Sequence, residues 1–349
     1  MDPNSSRMKH MLWAGLAAVM VLGMFSPAQA EERVLEIGKW YPTLESGLTL
    51  TQSTYTDNWA GGDKGSIVWT FITNATLENQ LSTKVNWNST LKLAYGQTHQ
   101  QSADTLGERS WAKPEKSTDL VDLETMFRFT LGGLVDPFAA GRLETQFQDA
   151  SDVAGRNLSF NPIRVKLTAG VARQFINEED RSLLSRLGFA VRQTSRKIFT
   201  TEDSSNKTTQ SVSSTDGGLE WVTDYKTKVL SDRVAWTSKL TVYQPLFYSD
   251  QGLFDDLTAN QISTNKLDPD IADYTMTADI DWENIFTTQI TKLLSVNLYL
   301  RFIYDKYDNS VPVVLDGETL TNAGGVRAAV RKGLQIKETL ALGITYRFL

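Results

Sequence analysis

The chain has 349 residues, a formal net charge of −6 and no cysteine. Hydrophobic residues make up 41 % and charged residues 22 %, which is too apolar for a disordered chain and too polar for a bundle of membrane helices. The lack of cysteine excludes disulfides, thiolate-bound zinc, iron–sulfur clusters and a thiol nucleophile, and the lack of a basic block argues against nucleic-acid binding.

The first thirty residues have the organisation of a secretory signal peptide. A short basic stretch precedes an apolar or small run from Met11 to Phe25, and Ala28-Gln29-Ala30 supplies the small residues of a cleavage site. The apolar run is too short to serve as a stable membrane-spanning helix. We therefore predict that residues 1–30 are a signal peptide and that the protein is exported.

Most of the remaining chain alternates between apolar and polar residues. In six segments between residues 67 and 305, one phase is apolar at 30 of 34 positions and the other at 8 of 34. The runs are 11 to 16 residues long, whereas strands of soluble proteins average about 5–6. A tilted strand needs about 9–11 residues to cross a membrane. Long alternating strands of this kind are typical of walls that separate lipid from a polar interior.

The pattern predicts an all-β fold, a single transmembrane antiparallel β-barrel over residues 46–349, preceded by a periplasmic lead over residues 31–45. Twelve strands fit best, with ten or fourteen as alternatives. Short links alternate with long polar links, as in barrels with tight periplasmic turns and long outer loops. The predicted strands cover residues 46–57, 66–79, 84–97, 118–131, 137–149, 161–176, 182–198, 217–229, 232–247, 272–287, 291–306 and 334–348.

Aromatic residues fall near the ends of the apolar phase, where the interfacial girdles of membrane barrels lie. The last strand alternates down to the terminus, which resembles the signal that bacterial barrel-assembly machinery recognises. Glu338 falls in its lipid-facing phase, so we expect a bulge or an interface position there. The predicted partners are outer-membrane lipids, lipopolysaccharide and that machinery, with the oligomeric state left open. The predicted girdle consists of Trp69, Trp87, Tyr95, Trp221, Tyr274, Trp282, Tyr304, Tyr346 and Phe348.

The opposite phase of the strands is charged and would line the barrel lumen. Basic residues predominate in predicted strands five to seven and acidic residues in strand ten, as in the transverse field of a porin constriction. The alternative is a filled barrel whose charges form an internal ion-pair network. The candidate lumen charges are Arg142, Arg164, Lys166 and Arg192 on a basic wall, Asp279, Asp281 and Glu283 on an acidic wall, and Arg301.

No catalytic, cofactor or metal site is expected. His99 is the single histidine beyond the signal peptide, and Ser89 lies ten residues away on the same predicted strand, out of hydrogen-bond reach. The acidic loop 248–271 does not show the ligand spacing of a known calcium loop. We therefore predict a protein that is not an enzyme and needs no cofactor.

Five blocks of the chain stand out as family-like motifs. They are Gly47-Leu48-Thr49-Leu50-Thr51-Gln52, Asn58-Trp59-Ala60-Gly61-Gly62-Asp63, Trp87-Asn88-Ser89-Thr90-Leu91-Lys92-Leu93-Ala94-Tyr95-Gly96, Leu334-Gln335-Ile336-Lys337-Glu338 and Leu342-Gly343-Ile344-Thr345-Tyr346-Arg347-Phe348. These blocks resemble the uncharacterised outer-membrane family called domain of unknown function 3078. The resemblance implies an outer-membrane barrel and implies no activity, because the family has no assigned one.

These features together predict a barrel of the bacterial outer membrane that acts as a porin-like passive channel for small hydrophilic solutes. The first alternative is a plugged structural or cell-surface adhesion barrel, with the Ser/Thr-rich loop 199–215 and the acidic loop 248–271 as contact surfaces. The second alternative is an outer-membrane lipid hydrolase that would depend on His99.

Overall fold

The computed structural model describes residues 35–53, 65–103, 109–152, 154–178, 180–200 and 203–347. Within these residues, twelve long antiparallel strands form one sheet, and the last pairs with the first, so the sheet closes into a barrel. This confirms the predicted all-β barrel and its strand count. The strands are β1 (Trp40–Ser53), β2 (Ser66–Ser82), β3 (Val85–Ala103), β4 (Glu115–Phe129), β5 (Asp136–Thr145), β6 (Ile163–Asn177), β7 (Ser182–Phe199), β8 (Thr209–Val229), β9 (Val234–Tyr248), β10 (Asp279–Gln289), β11 (Leu294–Tyr304) and β12 (Gln335–Arg347).

The connections alternate in length and define two ends of the barrel. At one end, which we call the turn end, β2 and β3 are joined by residues 83–84 alone, and the other links are similarly short. At the opposite end, which we call the loop end, the connections after β9 and β11 cover residues 249–278 and 305–334. The predicted asymmetry between short turns and long loops is therefore confirmed.

Three strands begin six or more residues away from their predicted starts. β1 begins at Trp40, so residues 40–45, predicted as a lead, pair with β2. β8 begins at Thr209, so residues 209–215 of the predicted loop 199–215 belong to β8 and pair with β7. β10 begins at Asp279 instead of residue 272, because the preceding residues fold into a short helix whose apolar side chains pack away from the wall.

The two faces of the barrel wall have opposite chemistry. Leu123 and Leu219 on the outer face are 44 % and 48 % exposed, whereas the inward neighbours Asp122 and Glu220 are 9 % and 6 % exposed. A soluble protein buries its apolar side chains and exposes its charges, so this distribution is inverted. An apolar outer face of this extent is stable when lipid surrounds it, which defines a transmembrane barrel.

Gly170 on β6 and Gly188 on β7 lie opposite each other, and a Cβ atom at Gly170 would lie 2.2 Å from the Leu187 carbonyl oxygen. Gly170→Ala is therefore expected to lower the free energy of unfolding by about 1–3 kcal/mol, because the two backbones must separate. Urea unfolding in detergent micelles measures the change. Gly333→Ala is the control, since an added Cβ there meets nothing within 4 Å. Equal free energies of unfolding for the two variants would contradict this expectation, because β6 and β7 would then accommodate the added Cβ atom without cost.

The two longest connections fold together into a cap at the loop end. The cap contains four short helices, α1 (Gln251–Asp255), α2 (Ala259–Thr264), α3 (Ile271–Tyr274) and α4 (Ala323–Ala329). Phe254 from one connection and Val326 from the other belong to the same buried apolar core. In the described part of the chain, no helix is long and apolar enough to cross a membrane. The shared core holds both connections in one arrangement.

Candidate functional site in the barrel lumen

A cavity of about 530 Å³ lies inside the barrel toward the loop end. Its wall consists of residues of the strands together with Asp305, residues 307–310 and Arg331 of the cap. Charged side chains of both signs line it, so the cavity suits water and hydrophilic solutes. Seven of the eight predicted lumen charges line this cavity, namely Arg142, Arg164, Lys166, Arg192, Asp279, Asp281 and Arg301.

The predicted basic and acidic walls do not face each other across an open space. Arg192 donates to Asp216 at 2.7 Å (Nε to Oδ1) and to Asp279 at 2.9 Å (Nη1 to Oδ2). Its guanidinium also lies 3.7 Å from the ring centre of Tyr243. Arg192 belongs to the predicted basic wall and Asp279 to the predicted acidic wall. The two walls therefore meet in an ion pair, and the structure corrects the prediction of separate walls.

Most other lumen charges are paired in the same way. Arg142 makes a bidentate contact with Asp122, with N–O distances of 2.7 and 2.9 Å. Planar contacts of this kind are strong and fix the orientation of the guanidinium. Glu283, the eighth predicted lumen charge, accepts hydrogen bonds from Lys92 and Tyr299. The remaining pairs include Arg301–Asp281 and Lys166–Glu220.

A cluster of ion pairs narrows the lumen between the cavity and the turn end, and we call it the neck. Glu124 on β4 accepts hydrogen bonds from Arg186 on β7 and Lys239 on β9, each at 2.7 Å. Arg186 also donates to Asp224 at 3.1 Å. The space left within the neck is about 10 Å³, roughly the room for one water molecule. The neck therefore leaves little free space in this part of the lumen.

A second cluster, which we call the latch, crosses the lumen at the loop end. Asp308 of the cap accepts hydrogen bonds from Arg164 on β6 and from Arg331, both at 3.1 Å. Burial by itself would raise the pKa of Asp308, but the charges of Arg164 and Arg331 outweigh it and lower the pKa to about 2. Asp308 is therefore ionised at neutral pH and holds the connection 305–334 against the opposite wall.

The latch residues of the cap were not found from the sequence. Asp308 and Arg331 lie between strands, where no alternation shows which way a side chain points. Tyr243 is a different case, because it occupies the inward phase of β9 and donates to Asp216 at 2.6 Å. The alternation could have identified Tyr243, but it could not have identified Asp308 or Arg331.

Three predicted girdle tryptophans lie on the barrel wall and share one type of contact. The indole nitrogens of Trp87, Trp221 and Trp282 donate to hydroxyl groups on neighbouring strands at 2.8–2.9 Å. Tryptophan with a satisfied N–H and an apolar ring suits the boundary between lipid and water. The acceptors are Thr125, Ser185 and Ser238.

The structure places the other predicted girdle residues in different parts of the molecule. Trp69 and Tyr95 pack together on β2 and β3, with ring centres 5.9 Å apart, Tyr304 ends β11, and Tyr346 is exposed near the end of β12. The prediction for Tyr274 is wrong, because it lies in α3 of the cap and donates to Asp268. Phe348 lies outside the described residues. Trp236, stacked on Phe286 near the turn end, was not predicted.

His99 and the acidic loop were the other candidates for chemistry. The His99 ring stacks on Trp111, and among the described residues no hydroxyl group hydrogen-bonds to its buried Nε2 atom. Asp268 of the acidic loop accepts a hydrogen bond from Lys332 at 2.5 Å, which lowers the pKa of Asp268 and ties the two connections of the cap together. The prediction that the protein is not an enzyme stays a prediction.

The pairing, the apolar outer face and the charged lumen define the class of this protein, a closed twelve-stranded transmembrane β-barrel with a capped, hydrophilic interior. Residues 50–150 match the family described as "Protein of unknown function (DUF3078)". This match confirms the resemblance suggested by the opening segments. No curated protein matches the sequence.

Several solved barrels are similar to this chain. The COG4313 outer membrane channel from Pseudomonas putida F1 is 12 % identical, covers 93 % of this chain and all of its own (100 %), and has a TM-score of 0.38. The translocator domain of the autotransporter NalP from Neisseria meningitidis is 8 % identical, covers 99 % of this chain and 98 % of its own, and has a TM-score of 0.33. The β domain of the Bordetella autotransporter BrkA is 9 % identical, with coverages of 88 % and 97 % and a TM-score of 0.29.

Proposed function

We propose that this protein is a channel of the bacterial outer membrane that lets small hydrophilic solutes pass passively. The observation that carries the proposal is the cavity of about 530 Å³ between latch and neck, lined by charged side chains of both signs. A purely structural barrel of this size gains stability from filling its interior with side chains. A hollow cavity lined by charged side chains instead allows water and polar solutes to enter and leave.

The arrangement of latch, cavity and neck supports selective passage. A solute must disturb ion pairs at Asp308 before it enters the cavity and ion pairs at Glu124 before it leaves. Ion pairs can exchange partners with a charged solute at little net cost, because each lost contact is replaced by a new one. This favours solutes that carry charge and are small enough for the cavity.

A plugged structural or adhesion barrel is the second candidate. The ion-paired neck and the folded cap favour it, because both reduce the free cross-section of the lumen. In that case the cap would be the contact surface exposed to the outside. A shared prediction of both candidates is insertion among outer-membrane lipids and lipopolysaccharide with the help of the barrel-assembly machinery.

The location can be tested by fractionation. The mature protein should be recovered with the outer membrane and should migrate faster on a gel when it is not heated, because a folded barrel resists detergent. Recovery in the soluble periplasmic fraction without detergent would contradict the proposed location and both candidate functions.

The channel is tested by the conductance of the purified, refolded protein in a planar bilayer. We expect the current through the bilayer to change in discrete steps. We also expect Asp281→Asn to shift the ion preference toward anions, because Arg301 loses its carboxylate partner. Asp256→Asn, the same change at an exposed position of the cap, is the matched control and should leave the preference unchanged. A silent bilayer with folded protein would favour the plugged barrel.

A further inference from the structure

Charges of the two signs nearly balance on the wall of the lumen cavity. Among the described residues, cationic and anionic side chains line it in nearly equal numbers, seven and eight. A lumen that selects solutes of one charge carries an excess of the opposite charge on its wall. The near balance therefore favours solutes whose own charges also balance.

Two ion pairs on this wall are accessible from the cavity. Arg192 pairs with Asp279, and Arg301 pairs with Asp281. All four side chains line the cavity, and each is 26–34 % exposed. In the pair of Lys166 with Glu220, by contrast, the side chains are 18 % and 7 % exposed. A solute in the cavity can therefore reach the first two pairs directly.

The two accessible pairs lie close together. Asp279 and Asp281 occupy inward positions two residues apart on β10, which places their Cα atoms about 7 Å from each other. Their cations come from different parts of the wall, Arg192 from β7, three strands away in the sheet, and Arg301 from the adjacent β11. A solute that leaves one pair therefore meets the second pair within a short distance.

An ion of one sign breaks such a pair without replacing both partners. An anion that binds Arg301 displaces Asp281, which then remains as a partly buried carboxylate without its cation. A cation that binds Asp281 leaves Arg301 without its carboxylate. A charge left unpaired in the protein interior is strongly unfavourable, and an uncharged solute compensates neither group fully.

A zwitterion replaces both partners at once. A carboxylate matches the planar guanidinium of Arg301 in a bidentate contact, and an ammonium group donates up to three hydrogen bonds, which suits Asp281. A solute that carries both groups can lie between the two side chains and leave neither charge unpaired. The cavity of about 530 Å³ falls within the range of about 300–1,000 Å³ for pockets that hold a small ligand.

The latch and the neck impose the same condition at the two ends of the cavity. In the latch, Asp308 is shared by Arg164 and Arg331. In the neck, Glu124 is likewise shared by two cations. A solute that opens either cluster separates charges of both signs. A solute with a carboxylate and an ammonium group therefore has an advantage along the whole route.

We propose that the cavity is a transit site for zwitterionic solutes with one carboxylate and one ammonium group, of the size of a free amino acid. The solute inserts between Arg301 and Asp281, and the neighbouring pair of Arg192 and Asp279 receives it in the same way. The proposal rests on the proposed channel function, and it names the class of solute that this channel prefers.

The first test compares two isomers by the swelling of liposomes that contain the full mature protein. L-Alanine and L-lactamide have the same atoms and nearly the same size, but alanine is a zwitterion and lactamide is uncharged. After subtraction of the swelling of protein-free liposomes, we expect alanine to enter about fivefold faster, because it compensates an opened ion pair. Equal rates, or faster entry of lactamide, would overturn the proposal and leave the channel intact.

A double variant tests the named ion pair. Arg301→Gln with Asp281→Asn removes both charges and keeps the net charge of the wall, so the preference for alanine should fall from about fivefold to about twofold. Arg181→Gln with Glu178→Gln is the matched control, because it removes an ion pair in the turn between β6 and β7, away from the residues that line the cavity. An unchanged preference in the first variant, with the folded barrel verified on an unheated gel, would contradict the assignment.

Binding to the unaltered mature protein in detergent micelles separates this proposal from the channel. Saturation-transfer NMR compares alanine with lactate, alaninamide and lactamide, which carry one charge or none. We expect alanine to bind at least about fivefold more tightly than each of them, because each lacks a charged group that the pair requires. Selective binding of alanine without swelling in any solute removes the channel and supports the site. Equal or weaker binding of alanine removes the zwitterion site, even if solutes pass.

Discussion

Asp308→Ala is expected to increase the fraction of time that the barrel conducts by about tenfold, because the variant loses two ion pairs of about 0.7 kcal/mol each that hold the latch closed. Asp308 contacts Arg164 on the wall and Arg331 in the cap, both at 3.1 Å. The modest energy per pair reflects the partial exposure of both arginines. Single-channel recording of the refolded protein measures the open fraction.

The same latch predicts a dependence on pH. An aspartate in an unfolded chain has a pKa of about 4, and in the folded protein the pKa of Asp308 is about 2. The ion pairs of the latch therefore stabilise the closed state fully above about pH 4, and this stabilisation is lost as the pH falls through about 2. The open fraction should be constant from pH 7 to about pH 4 and should rise below it. Asp308→Ala should remove this rise, and a rise that persists in the variant would assign it to another group.

Glu124→Ala is expected to lower the free energy of unfolding by about 3 kcal/mol, since it leaves the buried Arg186 and the half-buried Lys239 without the carboxylate that they share. Urea unfolding in detergent micelles measures the loss. Glu36→Ala is the control, because Glu36 pairs with Lys39 at an exposed site, where ion pairs contribute little.

A triple variant distinguishes the energy of the neck from the mere size of the Glu124 side chain. Glu124→Ala combined with Arg186→Met and Lys239→Met should recover much of the lost stability, because apolar side chains of similar volume often replace a buried ion cluster without cost. A triple variant that is less stable than Glu124→Ala would show that packing, and not unpaired charge, accounts for the loss.

The architecture could be predicted from the sequence because a strand has a side-chain period of two. A wall between lipid and a wet lumen imposes that period on every strand, so length and alternation were enough to place twelve strands and the inward phase. Arg142, Arg164 and Arg192 were assigned to the lumen on this basis, and each lines the cavity. The error at Tyr274 arose where alternating apolar residues serve the cap and not the wall.

The sequence by itself therefore determined the fold class, the inward face and the identity of most lumen charges. Only the tertiary structure decided which charges meet, because Arg192 and Asp279, or Arg164 and Asp308, lie 87 and 144 positions apart and are joined by the closure of the barrel and the folding of the cap. The pairing of the first strand with the last was decided there as well. Alternation is a property of single strands, whereas the extent of pairing between β1 and β12 depends on the register of the first strand against the last.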